Sequence, residues 1–302
     1  MILKYRNESN ELKIMRSLHV RMNLFEQDEM YYHSLEKGYA GEVVFDEIVQ
    51  PLEEGRIFIN DLILEHNNTM FQTDSLIITT PKIHLFEVKN FEGDFYIEKD
   101  IWYSMSSEKQ IKNPIHQLHR NEVLLRGILT SLGNKTPIEC HLIFVNPEFQ
   151  LYQAPRNLPI IFPSQIKKFM NKLEREQSHI TNKHTALAKK LLSHHIVNPP
   201  PFRLPDYKYE QLEKGIFCLR CHTMYDYFKG THLHCKVCGI VEPYQTAVIR
   251  TVDEYRLLFP LEKVTTNRIQ EWCKVVKSKK AMRNILVNNY TLVGHGKSSY
   301  YQ

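Results

Sequence analysis

The sequence lacks any apolar run long enough to cross a membrane. No stretch of its 302 residues approaches the roughly 18 to 20 apolar residues that a membrane-spanning helix requires. The opening ten residues, MILKYRNESN, also lack the apolar core of a secretory signal peptide. These absences predict a cytosolic, cytoplasmic protein with no membrane partner.

The sequence lacks the evenly distributed cysteines of a disulfide framework. Four of the six cysteines cluster in the C-terminal third, whereas Cys140 and Cys273 stand alone. In a reducing compartment such a cluster indicates metal binding. We expect the two isolated cysteines to be buried packing residues.

Acidic residues are almost absent from the C-terminal tail. Residues 263–302 contain eight Lys and Arg against one Glu, whereas residues 1–198 contain 23 basic against 25 acidic residues. A concentrated basic patch attracts polyanions, nucleic acid first and an acidic membrane surface second. The alternative is a surface that only keeps the protein in solution.

The composition is that of an ordinary globular protein, with 42% apolar and 24% charged residues. Its length predicts two or three domains. A proline-rich segment, Asn198-Pro199-Pro200-Pro201, interrupts regular structure and predicts a domain boundary. We expect a lead-in over 1–30, an α/β domain over 31–198, a linker with the cysteine cluster over 199–262, and a separate tail over 263–302.

The stretch 71–90 predicts a β-hairpin that turns at Pro81-Lys82. Its first run, residues 74–80, is rich in Ile, Leu and Thr, and its second run, residues 83–89, alternates apolar with polar side chains. Both runs are typical of half-buried strands. We expect the functional residues of the chain to be arranged around this hairpin.

The hairpin predicts a cluster of charged side chains on one face. A two-residue turn pairs Leu76 with Glu87 and Asp74 with Lys89, and because side chains alternate, both acids and the lysine share a face. Such a cluster would bind Mg²⁺ or Mn²⁺ through oxygen, with the ammonium near the attacking water. A solvated face with two acids and a base is the alternative. A loop longer by one residue would move Asp74 to the opposite face.

Two helices flank this hairpin in the sequence. The first, over 31–52, carries Gly38 and Gly41 one turn apart, which a close approach of the helix backbone to the sheet would explain. Glu42 would then lie against the sheet, although an exposed helix acid is the alternative. The second begins at Asn113-Pro114, and Gln117 lies on its first turns.

An ordered set of motifs along these elements resembles the nuclease-related domain, NERD, of the restriction-endonuclease-like superfamily. The motifs are Gly38-Tyr39-Ala40-Gly41-Glu42, Asn60-Asp61-Leu62, Gln72-Thr73-Asp74, Glu87-Val88-Lys89-Asn90 and Asn113-Pro114-Ile115-His116-Gln117. Asp74 followed by Glu87-Val88-Lys89 is similar to the D…(D/E)xK signature of that superfamily. The resemblance covers roughly residues 30 to 150. It implies a mixed sheet flanked by helices.

The resemblance also implies a catalytic site. Its residues would be Glu42, Asp74, Glu87, Lys89 and Gln117. Asp74, Glu87 and the carbonyl of Val88 would hold Mg²⁺ or Mn²⁺, and Lys89 would assist in-line attack of water on phosphorus. The resemblance assigns Glu42 to positioning water or a second ion and Gln117 to orienting the site.

Two CxxC pairs predict a structural zinc site. They are Cys218-Leu219-Arg220-Cys221 and Cys235-Lys236-Val237-Cys238. Two such pairs close a tetrahedral Zn²⁺ site with Zn–S bonds near ~2.3 Å and leave no coordination position open. The resulting zinc ribbon would stabilise a segment too small for its own core. Redox-active pairs, or a histidine in place of one cysteine, are the alternatives.

The basic tail predicts two short helices followed by a hairpin. Thr265 or Thr266 can cap the first helix and Ser278 the second. The arrangement resembles a winged helix-turn-helix, in which the second helix meets DNA; a small packing subdomain is the alternative. The residues expected to contact nucleic acid are Lys279, Lys280 and Arg283.

These features together predict a DNA-directed, metal-dependent nuclease with a zinc ribbon and a winged-helix-like tail. The pattern does not distinguish DNA from RNA. Two rival hypotheses are a non-catalytic DNA-binding or regulatory protein on a nuclease-like scaffold, and a zinc-stabilised module for protein interactions. Keeping two acids and a lysine together favours the nuclease, because a scaffold has no need of them.

Overall fold

The computed structural model describes residues 1–201, 203–276 and 278–302. These residues form two compact units: Met1–Glu8 with Ser34–Pro200, and Ser9–His33 with Pro201–Gln302. The predicted lead-in is therefore divided between the units. In the part of the chain that the structure describes, no helix is long and apolar enough to cross a membrane.

The strands and helices follow one another along both units. The strands are β1 (Ile2–Lys4), β2 (Ile57–His66), β3 (Thr69–Ile78), β4 (Ile83–Lys89), β5 (Gly93–Glu98), β6 (Ile101–Ser104), β7 (Gln110–Ile111), β8 (Ile138–Phe144), β9 (Phe149–Tyr152), β10 (Ile160–Ile161), β11 (Tyr227–Lys229), β12 (His232–His234), β13 (Val241–Pro243), β14 (Leu292–Val293) and β15 (Tyr300–Tyr301). The helices are α1 (Asn10–Arg21), α2 (Glu26–Val49), α3 (Pro114–Ser131), α4 (Ile166–Arg175), α5 (Asn182–Ser193), α6 (Tyr244–Leu258), α7 (Thr266–Cys273) and α8 (Lys279–Asn289).

The first unit is built on a mixed sheet with the strand order β1-β2-β3-β4-β8-β10. Strands β2, β3 and β4 are antiparallel neighbours, whereas β1 runs parallel to β2 and β8 runs parallel to β4 and β10. A second sheet has the order β7-β6-β5-β9. A mixed sheet flanked by helices confirms the predicted α/β class.

Helices cover both faces of the main sheet. On one face, Leu76, Leu85 and Leu142 belong to a buried cluster that includes apolar residues of α3 and α5. On the other face, Phe58 and Phe86 belong to a cluster with apolar residues of α2 and α4. Because side chains alternate along a strand, central strands that are buried on both faces are apolar nearly throughout.

The predicted hairpin forms β3 and β4, but its predicted register is wrong. Ile78 pairs with Ile83 and Leu76 with Leu85, so the turn spans residues 79–82 rather than two residues. The N–H and hydroxyl of Thr79 both donate to the carbonyl of Lys82, at 2.9 and 3.0 Å. Because the pairing is displaced by two residues, every side chain keeps its predicted face.

The second unit is organised around a buried arginine. Arg21 of α1 is 2% exposed, and its guanidinium forms an ion pair with Glu254 of α6 at 2.6 Å. The guanidinium also lies 4.0 Å from the ring centroid of Trp272 and donates to the carbonyls of Glu213 and Gly215. One side chain thus links α1, α6, α7 and the segment before the cysteine cluster.

The predicted caps of the two tail helices are present. The hydroxyl of Thr265 accepts a hydrogen bond from Arg268 N–H at 3.3 Å, and that of Ser278 accepts from Ala281 N–H at 3.2 Å. Strands β14 and β15 form the predicted hairpin, and an isolated bridge joins Val264 to Tyr301.

The two glycines of α2 have different surroundings. A Cβ at Gly41 would lie 2.4 Å from Cβ of Asn90, whereas a Cβ at Gly38 would meet nothing within 4 Å. The expected close approach to the sheet is therefore confirmed at Gly41 and wrong at Gly38. Asn90 follows β4, so Gly41 brings α2 against the end of that strand.

We predict opposite effects of alanine at these two positions. Gly41→Ala should lower the free energy of unfolding of the first unit by about 1–3 kcal/mol, because a crowded site gains a methyl group. Gly38→Ala is the matched control and should raise it by roughly 0.5–1 kcal/mol through helix propensity. Urea unfolding would be followed by tryptophan fluorescence. In a Trp272→Phe background the signal would come from Trp102 of the first unit alone. Similar effects of both substitutions would contradict the close approach.

Candidate active site

A cleft of about 530 Å³ opens at the C-terminal end of β4, beside β3. Residues of α2 and α3 complete its walls. Every residue that the sequence predicts to be catalytic or magnesium-binding lines it: Glu42, Asp74, Glu87, Val88, Lys89 and Gln117. The fold therefore brings together residues that are up to 75 positions apart in the chain.

Two buried carboxylates form the floor of the cleft. Asp74 is 7% and Glu87 1% exposed, and Oδ2 of Asp74 accepts a hydrogen bond from Val88 N–H at 2.7 Å. Burial, followed by the charge of Asp74, raises the pKa of Glu87 to about 8. Burial also raises the pKa of Asp74, against the opposing effect of Lys89. Each anion therefore disfavours the other.

A lysine and one amide contact Glu87, and a second amide contacts that lysine. Lys89 Nζ donates to Oε1 of Glu87 at 2.7 Å and to Oε1 of Gln117 at 3.2 Å. Asn121 Nδ2 donates to Oε2 of Glu87 at 3.3 Å and to the carbonyl of Gln72 at 2.8 Å. Burial acts to lower the pKa of Lys89, but the charges of Glu87 and Asp74 outweigh it and the net pKa is raised. Lys89 is therefore a cation.

Asn121 was not predicted from the sequence, although a signal was present. It lies four residues after Gln117, and residues at that spacing share one face of a helix. Once Gln117 of α3 is assigned to the cleft, Asn121 is the next residue that the same helix face can present to the sheet.

Glu42 is held by an arginine from the opening of the chain. Arg6 Nη1 donates to Glu42 at 2.6 Å, and its Nε and Nη2 each donate to Asp46 at 2.9 Å. Nη2 also donates to the backbone carbonyl of Asp74 at 2.9 Å. Burial, followed by the charge of Asp74, raises the pKa of Glu42 to about 8, while Arg6 opposes the shift. No local sequence signal identifies Arg6.

The donor set of the cleft fits a hard divalent cation. Asp74 and Glu87 supply carboxylate oxygens, the donors that Mg²⁺ and Mn²⁺ prefer. Their mutual destabilisation as anions is the effect that a bound dication would relieve.

The four clustered cysteines meet as predicted. The Sγ atoms of Cys218 and Cys238 are 3.5 Å apart, those of Cys221 and Cys235 are 3.3 Å apart, and all four lie within 4.8 Å of one another. A tetrahedron with Zn–S bonds of ~2.3 Å has edges of roughly 3.8 Å. The cluster contains cysteines alone and is consistent with a zinc ribbon.

The basic residues of the tail lie on the exposed side of α8. Lys279 and Arg283 line a groove of about 750 Å³ that also includes residues around β14 and β15. Lys280 is exposed and does not line that groove. The structure thus brings two of the three predicted contact residues together.

A family model agrees with the motifs of the first unit. The family model NERD, nuclease-related domain, matches residues 37–145, which confirms the resemblance over that segment. A search of curated proteins gives no significant match. The chain is similar to the solved structure of protein VC1899 from Vibrio cholerae at 12% identity and a TM-score of 0.27. That likeness covers 50% of this chain and 36% of the other.

We predict that Glu87 makes the stability of the metal-free first unit depend on pH. The unfolded carboxyl has a pKa of about 4.3 and the folded one about 8, so the folded state binds more protons between these values. Stability should therefore fall as pH rises through that window. Glu87→Gln should raise the free energy of unfolding more at pH 8.5 than at pH 5, because glutamine carries no such charge.

Urea unfolding in magnesium-free buffer at these two pH values would measure the effect. Glu98→Gln, at an exposed carboxylate of β5, is the control and should show no comparable pH dependence. If Glu87→Gln raised the free energy of unfolding equally at both pH values, the raised pKa of Glu87 would be contradicted.

Proposed function

We propose that this chain, which carries a nuclease-related domain over residues 37–145, is a metal-dependent nuclease that hydrolyses phosphodiester bonds in DNA. One observation carries the proposal: Asp74, Glu87 and Lys89 line one cleft from two neighbouring strands. A scaffold without activity would gain nothing from two buried acids that disfavour each other.

The proposed magnesium ligands are Asp74, Glu87 and the carbonyl of Val88. When bound, Mg²⁺ or Mn²⁺ would neutralise phosphate charge and lower the pKa of the attacking water. Val88 N–H already fixes the Asp74 carboxylate, and Asn121 holds the Glu87 carboxylate. Both acids are thus oriented before any ligand binds, which reduces the cost of assembling the site.

Lys89 has the proposed role of orienting water and stabilising negative charge on the phosphate. Its protonated state supports this role, because an ammonium donates hydrogen bonds and cannot act as a base. Glu87 and Gln117 each accept one of its hydrogen bonds. The third N–H is available to a substrate oxygen.

Glu42 has the proposed role of positioning water or a second ion. Arg6 contacts both its carboxylate and the backbone of Asp74. We therefore assign Arg6 as a positioning residue that keeps α2 and β3 in register across the cleft.

The second unit has the proposed role of binding nucleic acid. Its four cysteines would hold a structural Zn²⁺. Helices α7 and α8, the β14–β15 hairpin and the bridge from Val264 to Tyr301 occur in the order of a winged helix-turn-helix. In that arrangement the exposed N-terminal part of α8 would contact DNA, through Lys279, Lys280 and Arg283.

Single substitutions in the cleft should separate metal binding from cleavage. Asp74→Ala and Glu87→Ala should each lower Mg²⁺-dependent plasmid nicking by at least about 100-fold, because each loses a metal ligand. Lys89→Ala should lose nicking to a similar extent and still bind Mg²⁺. Nicking of supercoiled plasmid, cleavage of single-stranded DNA and calorimetric titration with Mg²⁺ would measure both properties.

Glu98→Gln, purified in the same way, is the matched control and should nick like the wild type. If the wild type binds DNA but neither it nor the control cleaves, the rival function, a non-catalytic DNA-binding or regulatory protein, replaces the nuclease. The assignment of the cleft would also be wrong if all three variants cleaved DNA at the wild-type rate.

Charge removal on α8 should weaken DNA binding in a salt-dependent way. Deleting the tail is unsuitable, because Trp272, Ile285 and Leu286 are buried. Replacing Lys279, Lys280 and Arg283 with glutamine instead should reduce the slope of log K against log salt by about 0.9 for each phosphate that the helix no longer neutralises. Binding would be measured by fluorescence anisotropy at several salt concentrations.

The matched control removes the same charge from another surface. Lys183, Lys189 and Lys190 are exposed on α5, and their replacement by glutamine should leave the slope unchanged. Equal slopes for the wild type and the α8 variant would show that the basic helix does not contact DNA.

A further inference from the structure

Two buried histidines lie on the face of the main sheet opposite the carboxylates of the cleft. His84 of β4 is 2% exposed and His141 of β8 is 5% exposed. Because side chains alternate along β4, His84 and Glu87 point to opposite faces. His141 also contacts Phe86 and Phe169, with ring centroids 4.8 Å from each. The pair therefore belongs to no part of the proposed nuclease site.

The two imidazoles and one carboxylate have metal-ligand spacing. His84 Nδ1 lies 3.0 Å from His141 Nε2, and His141 Nε2 lies 4.0 Å from Oε1 of Glu139. The three side chains can place one ligand atom each within 4.8 Å of the others. A tetrahedral ion with bonds of ~2.0–2.1 Å separates its ligand atoms by roughly 3.4 Å. Small adjustments would therefore accommodate an ion.

The second ring nitrogen of His84 gives independent support for a bound ion. His84 Nε2 is buried and has no hydrogen-bond partner, and Oε2 of Glu176 lies 3.6 Å from it. Without an ion, the facing nitrogens of His84 and His141 share one proton. If both nitrogens bound a cation, that proton would move to the outer nitrogen of its own ring, and for either starting tautomer His84 Nε2 would then be protonated and face Glu176. The tautomer changes and no proton leaves the pair.

The charge around the histidines also suits a dication. Lys82 Nζ lies 2.6 Å from Glu139 and 3.7 Å from Glu176. Two carboxylates, one ammonium and neutral imidazoles leave a net charge of about −1. The side chain of Lys82 is 28% exposed, so it can move into solvent when a cation replaces it.

We propose that His84, His141 and Glu139 bind one divalent transition-metal ion of the Zn²⁺ class. Imidazole and carboxylate are ordinary zinc ligands, and Glu176 would orient His84 from outside the coordination shell, as carboxylates do for metal-bound histidines. The ion would connect β4 to β8, and Glu176 would link His84 to the segment after α4. Its role is structural and independent of the nuclease cleft.

Zinc titration of the full chain tests this site. With the four-cysteine cluster already loaded, the wild type should bind Zn²⁺ calorimetrically, and Glu139→Gln should weaken that binding at least about 10-fold. Lys82→Met should strengthen it, because a competing cation is removed. Glu87→Gln, in the candidate active site, should bind this Zn²⁺ ion as tightly as the wild type. Both substitutions at the proposed site change half-buried side chains and spare the buried pair.

Nitrogen-15 NMR of the imidazoles provides a direct readout. Added Zn²⁺ should shift His84 Nδ1 and His141 Nε2 in the wild type and in Glu87→Gln. The proposal is overturned if no zinc binds beyond the cysteine cluster. It is equally overturned if Glu87→Gln abolishes binding while Glu139→Gln retains it, since the ion would then occupy the nuclease cleft.

Discussion

The burial of two carboxylates side by side at the end of β4 is the constraint on which the first unit depends. A buried anion is costly unless cations or hydrogen-bond donors surround it, and Asp74 and Glu87 each increase the other's cost. One compensating group is local and two come from distant segments. Lys89 lies on the same strand, Asn121 comes from α3, and Arg6 follows the edge strand β1 and binds the carbonyl of Asp74. The sheet, both helices and the opening residues are thus required together.

The cost of burying the two carboxylates is only partly compensated. The pKa of Glu87 is still raised to about 8 although Lys89 and Asn121 both donate to it. An arrangement selected only for stability would replace such acids with apolar residues at little cost. Retaining them is what the proposed cation site would require. Beside the histidine pair on the other face, the ammonium of Lys82 balances the carboxylates of Glu139 and Glu176.

Local patterns predicted the elements of the fold well, because their causes lie within a few residues. Thr265 and Ser278 cap the two tail helices as expected. The hairpin register was wrong by two residues, since Pro81 lies within a four-residue turn rather than a two-residue one. The faces were nevertheless right, because a strand repeats every two residues. An error of one residue would have separated Asp74 from Glu87.

The sequence by itself determined the α/β class, the meeting of the four cysteines and the shared face of Glu87 and Lys89, whereas the turn length that the structure shows was needed to place Asp74 on that face. Strand alternation and CxxC spacing act over short distances, so they can be read without the fold. Only the tertiary structure placed Arg6 beside Glu42 and joined His84 to His141. Those contacts cross 36 and 57 residues of chain. No local period or spacing encodes them, because they depend on how the edge strand, the helices and the parallel strand β8 pack around the central hairpin.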